Sequence, residues 1–279
     1  MKLAFTLTKF FSPHCEESRK SVFTLAEVFS PHYAGSRKSA FTLAEVLITL
    51  AIIGVVAAMT IPTLIQNHQK RSLEVATKKF YSMMSQAVKQ YMADEGIEDL
   101  RNTPLTYDRT KEGSEFEVAK EAAMEATKNF VRKYLKVVKE CDKDEICFAD
   151  SYKMQNNEIS TNFGSEGSLA YIGKFVLADG MVIDFWPATF DYPIDLYVGI
   201  NGKKGPNKIG YDLWSMSIFY DGTIDESGLT PECKQNGDCF SSGSATEERQ
   251  NRFYDCHDNG NPYGGCFGHF MENGFKFDY

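Results

Sequence analysis

Twenty consecutive residues without a charge lie between Glu45 and Gln66. A helix of that length rises about 30 Å, which matches the hydrocarbon thickness of a bilayer. A buried core helix and the apolar region of a secretory signal are the alternative interpretations. The apolar region of a secretory signal usually spans only about 7–15 residues and ends at a cleavage site of small residues. Because this run is longer and leads into an amphipathic helix, we predict a membrane-embedded helix.

The residues before the apolar run repeat with a period of eighteen. Phe11–Val28 and Phe29–Val46 are two near-identical copies, and both contain FTLAEV. Two copies are too few to stack into a repeat architecture, so we interpret them as a duplicated leader. Only the second copy runs into the apolar segment. Arg37 and Lys38 stand shortly before it, and basic residues favour the cytoplasmic side, so the rest of the chain is predicted to be exported.

Glu45 directly precedes the apolar run. A charged group so close to a membrane-embedded segment is energetically costly, so its presence suggests a function. A charge that snorkels to the interface is the alternative. The sequence SAFTLAEVLITLAIIG, residues 39–54, resembles the signal of type IV pilins and type II secretion pseudopilins. In that family a basic leader is cut before a Phe, a Glu is fifth in the mature chain, and a Pro is commonly twenty-second. Phe41, Glu45 and Pro62 stand at these positions. Ala40 replaces the Gly that usually precedes the cut.

The resemblance implies a prepilin that a prepilin peptidase cuts between Ala40 and Phe41 and that is methylated at Phe41. It also implies that Glu45 pairs with the Phe41 amine of a neighbouring subunit, which would offset the cost of burying both charges. Pro62 lacks a backbone donor, so the helix can kink there as subunits pack. Glu45 and Pro62 are therefore the predicted assembly residues. The implied partners are the peptidase, the inner membrane, and other pilin or pseudopilin subunits in a homo- or hetero-oligomeric filament.

The exported part is predicted to be an α+β domain. Apolar residues recur at three- and four-residue steps from Leu73 to Tyr91, as on one face of a helix. From residue 151 onward the apolar residues recur with the shorter period that is typical of strands. Asp179-Gly180 lies between two apolar runs and indicates a hairpin. We predict four or five antiparallel strands against the long helix, which is the pilin-like lollipop that the resemblance implies. The predicted division is a leader at 1–40, an apolar helix at 41–65, a globular domain at 66–230 and a Cys-rich tail at 231–279.

A second helix is predicted to begin at Ser114, because Ser114 and Glu117 have the spacing of a capping box. Its apolar face is predicted to extend as far as Val137. The tail after Pro231 contains few apolar residues, so we expect it to depend on disulfides for its order.

The net charge of the chain indicates which classes of partner it can bind. Hydrophobic residues make up 43% of the 279 residues, which excludes global disorder. Removal of the leader leaves 24 basic and 35 acidic residues, a formal charge of −11. Such an acidic surface favours solubility outside the cell and repels nucleic acid, so no nucleic-acid partner is expected.

Oxygen-bearing side chains gather between the later strands. Asn201, Asn207 and Asp212 lie among glycines in this loop, and calcium takes about six to eight oxygen ligands. Major pseudopilins, which this region resembles, hold calcium in a loop beside the sheet. Gly199 stands where an Asp ligand is expected, and either Asp195 or a main-chain carbonyl is the predicted substitute. The alternative is a turn without metal, and no other cofactor is expected.

The cysteines indicate an oxidising compartment. Cys15 lies in the leader, and an even number of six remains in the exported chain. Local spacing favours the pairs Cys141–Cys147, Cys233–Cys239 and Cys256–Cys266, among fifteen pairings that six cysteines allow. Zinc is the alternative, since His257 and His269 are nearby. Structural zinc sites usually have spacers of about two to four residues, and these are five, five and nine.

We therefore predict a non-enzymatic pseudopilin-like subunit, because no catalytic constellation stands out. The subunit would be a single-pass inner-membrane protein with an extracytoplasmic domain, assembled into a periplasmic or cell-surface filament of a type II secretion or type IV pilus-like system. The alternative is a membrane-anchored extracytoplasmic binding or adhesive protein that does not polymerise.

The mature N-terminus provides the first test. Because only the second repeat adjoins the apolar run, we expect cleavage between Ala40 and Phe41 and a methylated Phe41. Ala40→Arg should block the cut while the apolar helix still inserts. Mass spectrometry of the mature chain measures both, and a chain that begins at Phe23 or keeps its leader would contradict the prediction.

Overall fold

The computed structural model describes residues 41–108, 110, 112–142, 145–160, 173–187, 194–259, 261 and 264–279. The leader, with its two repeats and Ala40, lies outside the described residues. Contacts divide the chain into a unit that ends at Val56 and a unit that comprises Ala57–Tyr279. The described part of the first unit consists of Phe41, Thr42 and the beginning of helix α1.

Helix α1 runs from Leu43 to Glu95 and continues through Pro62. Its first part is long and apolar enough to cross a membrane. The large apolar side chains from Phe41 to Ile65 are 41–84% exposed, on every side of the helix. A helix that is apolar all round is typical of a membrane span or of a core formed with other chains.

From Leu73 onward the same helix buries one face only. Its buried residues follow the three- and four-residue steps of a helix face and are Leu73, Thr77, Phe80, Met84, Ala87, Val88 and Tyr91. The apolar residues of this set belong to one hydrophobic core with the sheet. The prediction of an amphipathic helix over this stretch is confirmed.

A six-stranded antiparallel sheet forms the centre of the second unit, in the order β1-β4-β5-β6-β7-β8. Its strands are β1 Val137–Cys141, β4 Lys174–Leu177, β5 Val182–Pro187, β6 Ile194–Gly199, β7 Leu213–Ile218 and β8 Ile224–Asp225. Strands β2 Tyr152–Lys153 and β3 Ile159–Ser160 form a separate pair. Gly180, with φ of 87°, turns the chain between β4 and β5, as the Asp-Gly signal predicts. The α+β class with a long N-terminal helix on an antiparallel sheet is confirmed.

Helix α2, Gly113–Tyr134, differs from its prediction at both ends. The helix begins one residue before Ser114, so Ser114 lies in the first turn, and the N-cap is Glu112, which makes no capping hydrogen bond. At the other end Leu135 has an extended backbone, and Val137 opens strand β1. The predicted helix face therefore extended too far. For that reason β1, an edge strand of the sheet, was not predicted.

The Cys-rich tail folds into three helices, α3 Pro231–Asn236, α4 Ala245–His257 and α5 Cys266–Glu272. The Thr230 hydroxyl caps α3 by accepting from the amide of Cys233 at 3.1 Å, and Ser244 caps α4 in the same way. Phe267 and Phe270 are buried, and the ring of Phe270 lies 4.7 Å from that of Trp214 in β7. The expectation that disulfides alone would order the tail is therefore incomplete, because the tail also shares the core.

The face of α1 that enters the core offers a test of stability. Phe80 is fully buried, whereas Val75 on the same helix is 66% exposed. Phe80→Ala should lower the free energy of unfolding by about 3–5 kcal/mol, because the core loses a ring and keeps a cavity. Val75→Ala, the matched control, should change it little. Urea unfolding of the full chain in detergent measures both, and equal midpoints would contradict this account of the core.

Candidate functional site

The N-terminus of α1 is closed by a reciprocal pair of hydrogen bonds between Thr42 and Glu45. The Thr42 hydroxyl oxygen accepts from the amide of Glu45 at 3.2 Å. Glu45 Oε2 accepts from the amide of Thr42 at 2.8 Å and from its hydroxyl at 2.9 Å. This arrangement is a capping box, which satisfies two of the donors that a helix leaves unpaired at its start.

Glu45 is also the single charged residue in the sequence from Phe41 to Ile65. All of its capping contacts use Oε2, and the side chain is exposed. The carboxylate can therefore close its own helix with one oxygen and offer the other to a cation on a neighbouring chain. The α-amine of a chain that begins at Phe41 is such a cation.

Pro62 lies inside the apolar part of α1, and the helix continues on both sides of it. Because proline has no N–H, the carbonyl of Ala58 loses its usual helical donor. Pro62 therefore interrupts the series of main-chain hydrogen bonds within the apolar segment. The predicted role of Pro62 as a bending point remains a prediction.

Three disulfides join cysteines that are close in sequence. They are Cys141–Cys147, Cys233–Cys239 and Cys256–Cys266, with Cα–Cα distances of 6.5, 4.4 and 5.6 Å. Two of them lie in the tail and close loops around its short helices. Disulfides form and persist in oxidising compartments.

The loop before β7 is organised around the carboxylate of Asp212, which is buried. Its oxygens accept from the amides of Asn207 and Lys208, both at 2.6 Å, and from the side-chain amide of Asn201 at 3.2 Å. Burial raises the pKa of Asp212 to about 6, although these donors act in the opposite direction. The side-chain oxygens of Asn201 and Asn207 are buried without a hydrogen-bond donor.

This set fits part of a hard-cation site. Two buried amide oxygens and one carboxylate suit calcium chemically, but they supply few of the about six to eight oxygens it takes. Asp195 does not complete the set. It lies on β6 opposite Ser217, whereas Asp212 immediately precedes β7. At about 3.3 Å per residue, the five positions from 212 to 217 place Asp195 roughly 16 Å away along the sheet.

Asp195 instead lines a cavity of about 250 Å³ between the sheet and the tail. Its carboxylate accepts a hydrogen bond from the Ser217 hydroxyl, and burial raises its pKa to about 6. Tyr197 and Ser215 line the cavity from the sheet, and the tail contributes Arg252 among others. The cavity is polar and contains both acidic and basic groups.

Thr42 is the functional residue that the sequence analysis missed. Its signal was present, because Thr-x-x-Glu before an apolar run is the sequence signature of a capping box. Any test of the carboxylate must therefore separate its two roles.

Asp212 provides a test of the loop. Asp212→Ala should destabilise the chain by about 1–3 kcal/mol for each buried main-chain donor that loses its acceptor. Asp221→Ala is the control, since Asp221 accepts from Thr223 on an exposed turn where water can replace it. Urea unfolding measures both variants. In parallel melts, a calcium-dependent rise in Tm that Asp212→Ala abolishes would indicate a bound cation, and equal stability of the two variants would contradict the central role of Asp212.

Two sequence-family models match the chain. One describes a prokaryotic N-terminal methylation motif and matches residues 35–61, which include the predicted cut, Glu45 and the first part of α1. The other describes a family of unknown function, DUF6613, and matches residues 63–212. No curated protein and no solved structure matches the chain. The chain carries the prepilin-type signal of type IV pilin-like proteins at its N-terminus, and through the larger match it belongs to the DUF6613 family.

Proposed function

We propose that this protein is a subunit of a filament of the type II secretion or type IV pilus kind, built from prepilin-like chains. One observation carries the proposal. The apolar part of α1 is exposed on all sides and contains one charge, and that charge is a carboxylate held at the first turn of the helix. The prepilin-type signal covers the same residues.

Exposed apolar surface of this extent needs a partner. A bilayer provides one before assembly, and equivalent helices of other subunits provide one afterwards. Ala51, Gly54, Ala57 and Ala58 allow close approach between such helices. In either setting water is excluded, so an unpaired carboxylate is costly and a positively charged amine beside it is stabilising.

The proposed route follows from these properties. A prepilin peptidase removes the leader and exposes the Phe41 amine, the apolar helix holds the chain in the inner membrane, and the second unit lies outside the cytoplasm. Three disulfides support that location. The chain then joins pilin or pseudopilin subunits, and its role is structural rather than enzymatic.

The second candidate is a membrane-anchored binding protein that does not polymerise. The polar cavity beside Asp195 favours it, because such a cavity can take a small ligand. A monomeric anchor has no need of the Glu45 charge beyond the capping box. The charge therefore discriminates between the two candidates.

Substitutions at Thr42 and Glu45 separate charge from capping. Glu45→Gln removes the charge but keeps a side chain that can close the capping box. We expect it to insert, to be processed, and to be depleted from filaments, because a buried amine without its partner costs about 3–5 kcal/mol. Thr42→Ala, the matched control, loses the hydroxyl cap but keeps the charge, and it should assemble.

Co-assembly with the wild-type chain is measured in sheared filament fractions, and mass spectrometry verifies the N-terminus of each variant. If Glu45→Gln assembles as well as wild type while Glu45→Ala and Thr42→Ala both fail, Glu45 acts only as a cap. The monomeric anchor would be favoured if no variant, including wild type, entered a filament.

A further inference from the structure

Two lysines from different elements lie beside one tyrosine in the second unit, and a third is joined to one of them by a main-chain bridge. Lys70 lies on α1, Lys153 on β2 and Lys208 in the loop before β7. The ammonium groups of Lys70 and Lys208 lie 5.5 and 5.0 Å from the ring centre of Tyr211. A parallel bridge joins Lys153 to Lys208, with the amide of Lys153 donating to Asn207 at 2.8 Å. We refer to Lys70, Lys153 and Lys208 as the lysine cluster.

The lysine cluster is not neutralised by acidic side chains. None of its members takes part in an ion pair with a side-chain carboxylate among the residues that the structure describes. Lys70 donates at 3.2 Å to the carboxyl oxygen of Tyr279, the last residue of the sequence, whereas no carboxylate pairs with Lys153 or Lys208 among the described residues. Burial, together with the charges of Lys70 and Lys153, lowers the pKa of Lys208. Such a group of cations is unusual in a chain with an excess of acidic residues, and it attracts an anion.

The position of Lys70 along α1 indicates which anion. The apolar run ends at Ile65, and Lys70 follows five residues later, which is about 7.5 Å along a helix. The headgroup layer on each side of a bilayer is about 5–7 Å thick. Lys70 therefore lies level with the outer limit of the headgroups. The contacts of Lys70 and Lys208 with Tyr211 hold the loop before β7 at the same level.

We propose that the lysine cluster binds the phosphate groups of anionic phospholipids in the leaflet from which the second unit emerges. The proposal rests on the membrane embedding of α1 that the proposed function assumes. Ammonium groups are compact cations that suit phosphate oxygens. Each lysine at an anionic surface favours the bound state about fivefold, so three together favour it about a hundredfold. The contact would hold the second unit against the membrane until the subunit leaves for a filament.

The test uses the full chain in nanodiscs of phosphatidylcholine, with or without phosphatidylglycerol. An amine-reactive reagent labels exposed lysines, and mass spectrometry gives the labelled fraction at each position. Lys89 is the internal control, because it is exposed on the same helix and lies about 28 Å from Lys70, beyond electrostatic reach at physiological salt. Co-elution of the chain with the nanodiscs at high salt confirms insertion of α1 in every sample, so a failure of anchoring is recognised separately.

We expect phosphatidylglycerol to reduce labelling of Lys70 and Lys208 at least fivefold and to leave Lys89 unchanged. High salt should remove this protection. Native mass spectrometry should show that Lys70→Gln combined with Lys208→Gln loses the bound phosphatidylglycerol that wild type and Lys89→Gln retain.

Equal labelling in the two kinds of nanodisc would overturn the proposal. Inorganic phosphate in phosphatidylcholine nanodiscs forms a further arm. If phosphate at millimolar concentration protects the lysine cluster as well as phosphatidylglycerol does, the site binds free phosphate and the lipid assignment is wrong. If protection appears only when wild-type subunits assemble into filaments, the lysine cluster contacts a neighbouring chain, and the lipid assignment is again wrong.

Discussion

Helix α1 has to satisfy two environments with one continuous backbone. Up to Ile65 its side chains are apolar on every side and exposed, whereas from Leu73 to Tyr91 it buries one face in the core. The second part gains its stability from tertiary packing, as most helices in globular domains do. The first part has no such packing within the second unit's core and depends on a membrane or on other chains. Helix α1 therefore contributes both to the fold of the domain and to the proposed assembly.

The tail extends the core that α1 begins. Its two disulfides close short loops, and its aromatic residues pack beside Trp214. Buried charges add a further connection, because Arg249 on α4 bonds Asp225 on β8 at 2.8 and 3.1 Å. Burial opposes ionisation of Asp225, but Arg249 and Lys234 hold its pKa below the ordinary value. The adjacent Glu226 accepts from the amide of Gly268 at 2.9 Å instead, and burial raises its pKa to about 8. Removing Arg249 would leave the buried Asp225 carboxylate with Lys234, at 2.8 Å, as its remaining cation among the described residues. Losing one partner of a buried charge network is costly.

Glu45 illustrates how one residue can carry two physical roles. As the third residue of the helix it completes a capping box with Thr42, and as the lone charge of the apolar segment it is available to a partner. Neither role excludes the other, because the capping contacts use Oε2. The lysine cluster lies beyond the other end of the apolar run, where Lys70 follows Ile65 by five residues. Charge is thus placed at both limits of an otherwise uncharged stretch of α1, residues 46–69.

The sequence alone determined the features whose signals are local. The apolar length of α1, the three- and four-residue steps from Leu73 to Tyr91 and the turn at Gly180 each depend on neighbours within a few residues. Strand β1 was not predicted, because its pairing with β4 joins positions 33 to 40 residues apart and its apolar residues also suited a helix face. Only the register of β6 and β7 could separate Asp195 from Asp212, since one loop in sequence does not fix distances across a sheet. The lysine cluster likewise required the tertiary structure, because residues of three distant segments become neighbours only when the core places their backbones together.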